Sequence, residues 1–250
     1  MKKICFHIQK GGVGKTTISC TVAWGLARRG CRVVLLDCDP QANTTSWVCT
    51  KQFRYDFTDI FRGRSIDEVS VPINDNLSLI PVFSIDGELK NWSETRLAES
   101  PRAFEFLLDD LSKMGFDYAI LDCSPSFSLL EKAIVCASDE VINPLSPEFF
   151  SVDGIEIFSN ILQGLERNNR RKIKNDKIVL NMLNKSFATH RAFSESLQQL
   201  NYHIVTIPQD RKLAECQGAQ KSIWEYDPKA RCIPAFEQLI DLITGEHDGE

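Results

Sequence analysis

Gln9-Lys10-Gly11-Gly12-Val13-Gly14-Lys15-Thr16-Thr17 is the stretch whose reading decides the fold. An apolar run, Ile4-Cys5-Phe6-His7-Ile8, precedes it and reads as a buried strand. Ile18 to Arg29 follows with helical spacing: Ile18, Val22 and Leu26 share one side, with Ala23 and Ala27 beside them. Strand, glycine loop, helix is the setting in which such a loop holds phosphate. The glycines let the backbone turn several N–H groups toward one anion. The helix N-terminus behind them adds about half a positive charge. Lys15 is placed to reach β- and γ-phosphates, and the Thr16 hydroxyl to ligate Mg2+. The plain alternative is a glycine turn with no ligand, and the flanking pattern argues against it.

The usual phosphate-loop pattern, G-x-x-x-x-G-K-[ST], asks for glycine at position 9, where Gln9 stands. The compact form here carries a second lysine, Lys10, ahead of Lys15. This is the deviant Walker A motif, and in it the chain resembles the ParA/MinD family of ATPases. The resemblance implies an α/β fold: a doubly wound, mostly parallel sheet with helices on both faces. It implies ATP and Mg2+ as ligands, with the phosphates held across Lys10, Gly11, Gly12, Val13, Gly14, Lys15, Thr16 and Thr17. It further implies that Lys10 crosses a homodimer interface to the partner's nucleotide. The likeness runs nearly full length, strongest in 9–17, 37–43 and 116–130 and weakest in 47–100. One ATPase domain over 1–244 is expected, with a frayed acidic tail over 245–250.

Composition agrees with one large α/β domain: 250 residues, 43% hydrophobic and 25% charged. No apolar run approaches the roughly 18 residues of a membrane span. Met1-Lys2-Lys3 leads straight into a strand, unlike a signal peptide. A cytoplasmic protein with no membrane contact is therefore expected, and the family resemblance implies association with the nucleoid. The tail lacks the cations by which the family's membrane-positioning branch meets anionic lipid. Nine cysteines, none spaced C-x-x-C, read as reduced core residues, with disulfides or metal the alternative. The net charge of −5 opposes a globally basic nucleic-acid binder but leaves room for a local basic face.

Cys31 to Asp37 is a second buried strand, stopped by Pro40 in Asp37-Cys38-Asp39-Pro40-Gln41-Ala42-Asn43. Ligands sit at the carboxyl ends of such strands. The string matches the family's switch I, so Asp39 is expected to orient or deprotonate the attacking water and to stand near the metal. The alternative is a helix cap. Phe116 to Asp122 is a strand ending in an acid, the Walker B arrangement, with Asp122 on Mg2+ through a water. Cys123-Ser-Pro-Ser-Phe-Ser-Leu-Leu130 resembles switch II, but serines stand at 124 and 128 where the family carries Pro and Gly.

Elsewhere, short helices are expected at 57–61 and 66–69, a strand at 77–81, and helices at 86–97 and 101–114. Trp92 is either packed on a neighbour or part of a partner interface. A strand at 139–144 precedes a helix striped by Ile155, Phe158, Ile161, Leu162 and Leu165. Arg167, Arg170, Arg171, Lys172, Lys174 and Lys177 then form a basic cluster, either a solvated connector or a DNA-backbone footprint. A strand over 177–184 is expected, then a helix over 189–200, a strand over 204–208, and a last helix from about 226 to 244. By resemblance, Asn181 lies near adenine, Pro208 opens the adenine-side loop and its following helix, Asp210 there approaches either the base or the sugar, and Lys229 and Arg231 match positions that tend to be basic in DNA-binding members.

The leading function is a DNA-partition ATPase that closes as a dimer on ATP, binds DNA without sequence preference, and is released through a ParB-like partner. A second reading keeps the switch but gives it a protein cargo. A third is an iron–sulfur reductase of the nitrogenase iron-protein kind, for which Cys123 is the one suggestive residue. A fourth is a small-molecule ligase or kinase, which would not need Lys10.

Overall fold

The computed structural model describes residues 1–84, 87–148 and 151–246, without the side chains of 151–153. In chain order the elements are β1 (Lys2–Phe6), α1 (Lys15–Arg28), β2 (Val33–Cys38), α2 (Asn43–Val48), α3 (Phe57–Ile60), α4 (Ile66–Val69), β3 (Val71–Pro72) and β4 (Leu77–Ile80). Then come α5 (Leu89–Glu99), α6 (Ala103–Lys113), β5 (Tyr118–Cys123), α7 (Leu129–Ala137), β6 (Glu140–Leu145) and α8 (Ser151–Asn169). The chain closes with β7 (Lys174–Leu183), α9 (Ala188–Leu197), β8 (His203–Pro208), α10 (Arg211–Gly218), α11 (Ile223–Tyr226) and α12 (Ile233–Thr244).

The strands form one eight-stranded sheet in the order β3-β4-β2-β5-β1-β6-β7-β8, parallel except for β3 on β4. All six residues of β2 are buried, and its apolar run Val33 to Leu36 is that of a strand covered on both faces. Alternate side chains divide between two cores. Cys5, Val34, Leu36 and Leu121 pack under α5 to α9, and Ile4, Val33, Leu35 and Ile120 under α1, α2 and α10 to α12. The doubly wound expectation therefore holds. Gly25 allows α1 to approach the C-terminal elements, because a Cβ there would run into Ile240 and Trp224.

The parallel register places Phe6 beside Asp122, and Asp37 beside Asp122. The turns after β1, β2 and β5 consequently open at one end of the sheet, where open α/β folds bind ligands.

Several boundaries differ from expectation. The last helix begins at Ile233, not 226. Pro228 disfavours helix at Asp227, which is extended at φ −148°, ψ 93°, so α11 ends at Tyr226. Helix α7 and the short β3 were not anticipated. Helix α5 starts at Leu89; the expected start, Asp86, lies outside the described residues, as does most of the expected tail.

Candidate functional site

Gly12 and Gly14 take φ of 74° and 89°, the left-handed region where a side chain is strained. Gly14 starts α1, its carbonyl accepting from Ile18 N at 2.9 Å. A Cβ at Gly14 would also collide with the Asn181 amide, which reaches from β7 and donates to Val13 O at 3.0 Å. Asn181 Oδ1 accepts from Met182 N at 2.9 Å. Asn181 thus braces the loop while keeping one N–H and one lone pair free of the bonds just described.

Lys15 is 7% exposed, and its ammonium donates to Lys10 O at 2.6 Å and Ile8 O at 3.5 Å. Burial lowers its pKa. A cation folded onto carbonyls inside a glycine loop matches an anion's place. Lys10 is different: its Nζ lies at the rim, 2.7 Å from Glu148 Oε2. Thr17 Oγ1 accepts from Gln217 Nε2 of α10 at 2.7 Å, a link absent from any local motif.

Asp122 is fully buried. Its Oδ2 accepts from Thr16 Oγ1 at 2.8 Å and Thr44 Oγ1 at 2.7 Å, while Oδ1 has no hydrogen-bond partner among the described residues. Burial pushes its pKa up to about 6. An orphaned carboxylate oxygen beside two hydroxyls fits a hard, oxygen-seeking divalent cation such as Mg2+. Thr44 was missed from sequence; its only signal is its place beside Asn43 in the 37–43 string.

Asp37 and Asp39 divide the labour in that string. Asp37 is fully buried and accepts from Thr45 N at 2.8 Å, Thr45 Oγ1 at 2.7 Å and Asp39 N at 3.2 Å, so it shapes the turn. Burial first, then Asp122, raises its pKa to about 7. Asp39 Oδ1 accepts from Gln41 N at 2.9 Å, and burial is the main cause of its raised pKa.

The base-side residues are less concentrated. Pro208 lines a groove of about 670 Å³ with Leu183, Asn184, Gln209 and Arg231. Asp210 is a helix cap: Oδ1 accepts from Lys212 N at 3.0 Å and Oδ2 from Cys232 N at 3.2 Å. The basic cluster is largely matched by acids. Arg171 pairs with Asp139, Lys172 with Glu166 at 2.8 Å, and Lys174 with Asp176 at 3.2 Å. Lys177 leaves the footprint altogether, buried on Glu140 at 2.5 Å. Arg167, Arg170, Lys229 and Arg231 are exposed.

This is the phosphate-loop site of a P-loop nucleotide-binding α/β protein. A family model described as "AAA domain" matches residues 1–175. The protein BBD21 of Borreliella burgdorferi is 38% identical over 246 residues, covering 97% of this chain and 99% of that one. The sporulation initiation inhibitor protein Soj of Bacillus subtilis is 29% identical over 97% of this chain and 98% of its own. A putative plasmid partition protein of Borrelia burgdorferi, solved bound to AMPPNP, superposes with a TM-score of 0.73 at 25% identity, covering 95% of this chain and 98% of that one. The chain belongs to the AAA-domain family and, within it, to the ParA/MinD-type ATPases, close to plasmid partition proteins.

Proposed function

We propose that this chain is a partition ATPase: it binds ATP with Mg2+, closes as a homodimer around the nucleotides, and holds DNA non-specifically in that state. A ParB-like partner stimulates hydrolysis and so releases the DNA; the setting is the cytoplasmic nucleoid. The observation that carries the reading is the division between two lysines of one loop. Lys15 lies inside the loop and Lys10 at its rim. A pocket acting alone needs only the first; a nucleotide shared between subunits gives the second a use.

In this reading Lys15 and the amides of Gly11 through Thr17 hold the phosphates, with Lys10 acting on the partner's. Thr16 and Asp122 hold Mg2+, with Asp39 beside them. The cation supplies charge neutralisation on the transferring phosphoryl group. Asp39, with one oxygen tied to Gln41 N, orients water and draws its proton. Asn181 offers its spare donor and acceptor to adenine, and Pro208 to Asp210 contribute backbone, because the Asp210 carboxylate caps α10. DNA phosphates meet Lys229 and Arg231 first, joined by Arg167 and Arg170. Arg171, Lys172 and Lys174 contribute less, since acids already neutralise them.

That same neutralisation favours the second reading, an ATPase switch for a protein cargo. Titrating DNA binding with salt, in ATP, ADP and no nucleotide, separates the two. The partition reading expects binding with ATP only, falling steeply with salt, and persisting in Asp39→Ala, which binds without turning over. Absence of binding at low salt overturns it in favour of the cargo. The iron–sulfur reading loses its one feature: Cys123 is buried, its sulfur 3.3 Å from that of Cys5.

A further inference from the structure

One carboxylate gathers the loop that follows Asp122. Residues 124–128 join β5 to α7 and include Ser124, Ser126 and Ser128. Ser128 caps α7, and Glu131 Oε2 accepts from Ser128 N at 2.8 Å and Ser128 Oγ at 2.6 Å. This is a capping box, and it accounts for one oxygen of Glu131. The other oxygen accepts from Ser124 Oγ at 2.5 Å. Ser124 Oγ lies 2.8 Å from Ser126 Oγ and accepts from Ser126 N at 3.2 Å. Both ends of the loop and its middle are tied to a single side chain.

The helix start alone does not call for this arrangement. Glu131 is 1% exposed, and no lysine or arginine forms an ion pair with it among the described residues. Burying a carboxylate without a cation is strongly unfavourable until hydrogen bonds offset it. A serine cap by itself stabilises a helix start far less than that. The loop's apolar residue is also clamped, Phe127 lying 5.4 Å from the His7 ring and 6.3 Å from Phe158. The serines at 124 and 128, where the resemblance anticipates proline and glycine, are the two that bind Glu131. A side-chain network here does what backbone restriction by those residues would do.

We propose that Glu131 is a positioning residue for the hydrolytic step: through Ser124 and Ser126 it holds the 124–128 loop in register with Asp122 and the reacting phosphate. The inference rests on the ATPase reading above. It places the effect on turnover, not on nucleotide capture, because the hydrogen bonds of Glu131 among the described residues go to Ser124 and Ser128 and none to the glycine loop.

Ser124→Ala cuts the loop tie and leaves the capping box intact; Glu131→Gln keeps an acceptor oxygen and removes the charge. The readouts are ADP affinity by calorimetry, single-turnover ATP hydrolysis, melting temperature and amide exchange across 124–128. Both variants are expected to bind ADP within about twofold of the parent and to melt within a few degrees of it. Hydrolysis falls about tenfold or more, in keeping with the sensitivity of rate to small misplacements, and amide protection of Ser126 is lost. Parent-like hydrolysis in Ser124→Ala overturns the inference. So does a loss of turnover that only tracks lost ADP affinity or lost stability. A parent chain that binds no ADP removes the ATPase reading and this inference with it.

Discussion

Lys15 and His7 show how burial sets the character of single residues. The Lys15 ammonium is desolvated, and its hydrogen bonds among the described residues go to the carbonyls of Lys10 and Ile8, so in the proposed reading an arriving phosphate gains a charge-assisted partner already in place. Lys15→Gln is expected to weaken ADP binding by roughly 10- to 100-fold, the equivalent of a hydrogen bond to a charged group, with stability little changed; calorimetry beside a denaturation curve checks it. His7 is fully buried between Phe127 and Phe158, and neither ring nitrogen has a hydrogen bond of good geometry among the described residues. Burial first, then Lys15, lowers its pKa from 6.5 to about 4. The unfolded chain therefore takes up this proton more readily than the folded one. The resulting loss of stability is absent above pH 6.5, grows as pH falls through 6.5 to 4, and reaches about 3 kcal/mol below that. Asp37 and Asp122, with raised pKa values, act in the opposite direction over part of the same window. The comparison that isolates His7 is the difference between parent and His7→Leu in urea unfolding across that range. The variant is expected to gain relative stability as pH falls, and a pH-independent difference would contradict the assignment.

At the scale of elements, Trp92 joins α5 to the sheet's flank. Its ring stacks on Phe61 at 4.2 Å and meets Phe57 edge-on at 5.8 Å. At 6% exposure it packs in the chain's own core. Trp92→Ala is expected to cost about 3–5 kcal/mol, read as a lower urea midpoint with unchanged slope. The central elements were legible because glycine, apolar runs and terminal acids coincide there: β1, the loop over 9–17, α1, β2 and β5 all fall within a few residues of expectation. Most of what was not legible depends on partners distant in sequence. Helix α7 is the local exception: it opens on the capping box of Ser128 and Glu131, inside a stretch that the sequence matches as a whole to switch II. The short β3 exists only by pairing with β4, and Thr44 becomes a site residue only when the sheet brings Asp122 to it. Asp210 and Lys177 were assigned by type and position, whereas their hydrogen bonds and ion pairs commit them to the fold.

For the molecule as a whole, the sheet order puts β1 between β5 and β6, so the glycine loop, Asp39 and Asp122 share one end; Arg167 and Arg170 precede β7 at the other end, while Arg231 lines the groove beside Pro208 at the carboxyl ends of β7 and β8. In the proposed reading Lys10 couples nucleotide to dimer closure. Its pairing with Glu148 at the rim is a part-exposed ion pair worth at most about 1 kcal/mol, weak enough to exchange for a phosphate contact. The most direct measurement is light scattering of the full chain saturated with AMPPNP and Mg2+, beside the ADP form and Lys10→Gln. The account predicts a dimer with AMPPNP, a monomer with ADP, and a Lys10→Gln variant that binds AMPPNP yet stays monomeric. A parent chain that remains monomeric when saturated, or a Lys10→Gln variant that dimerises as the parent does, contradicts it.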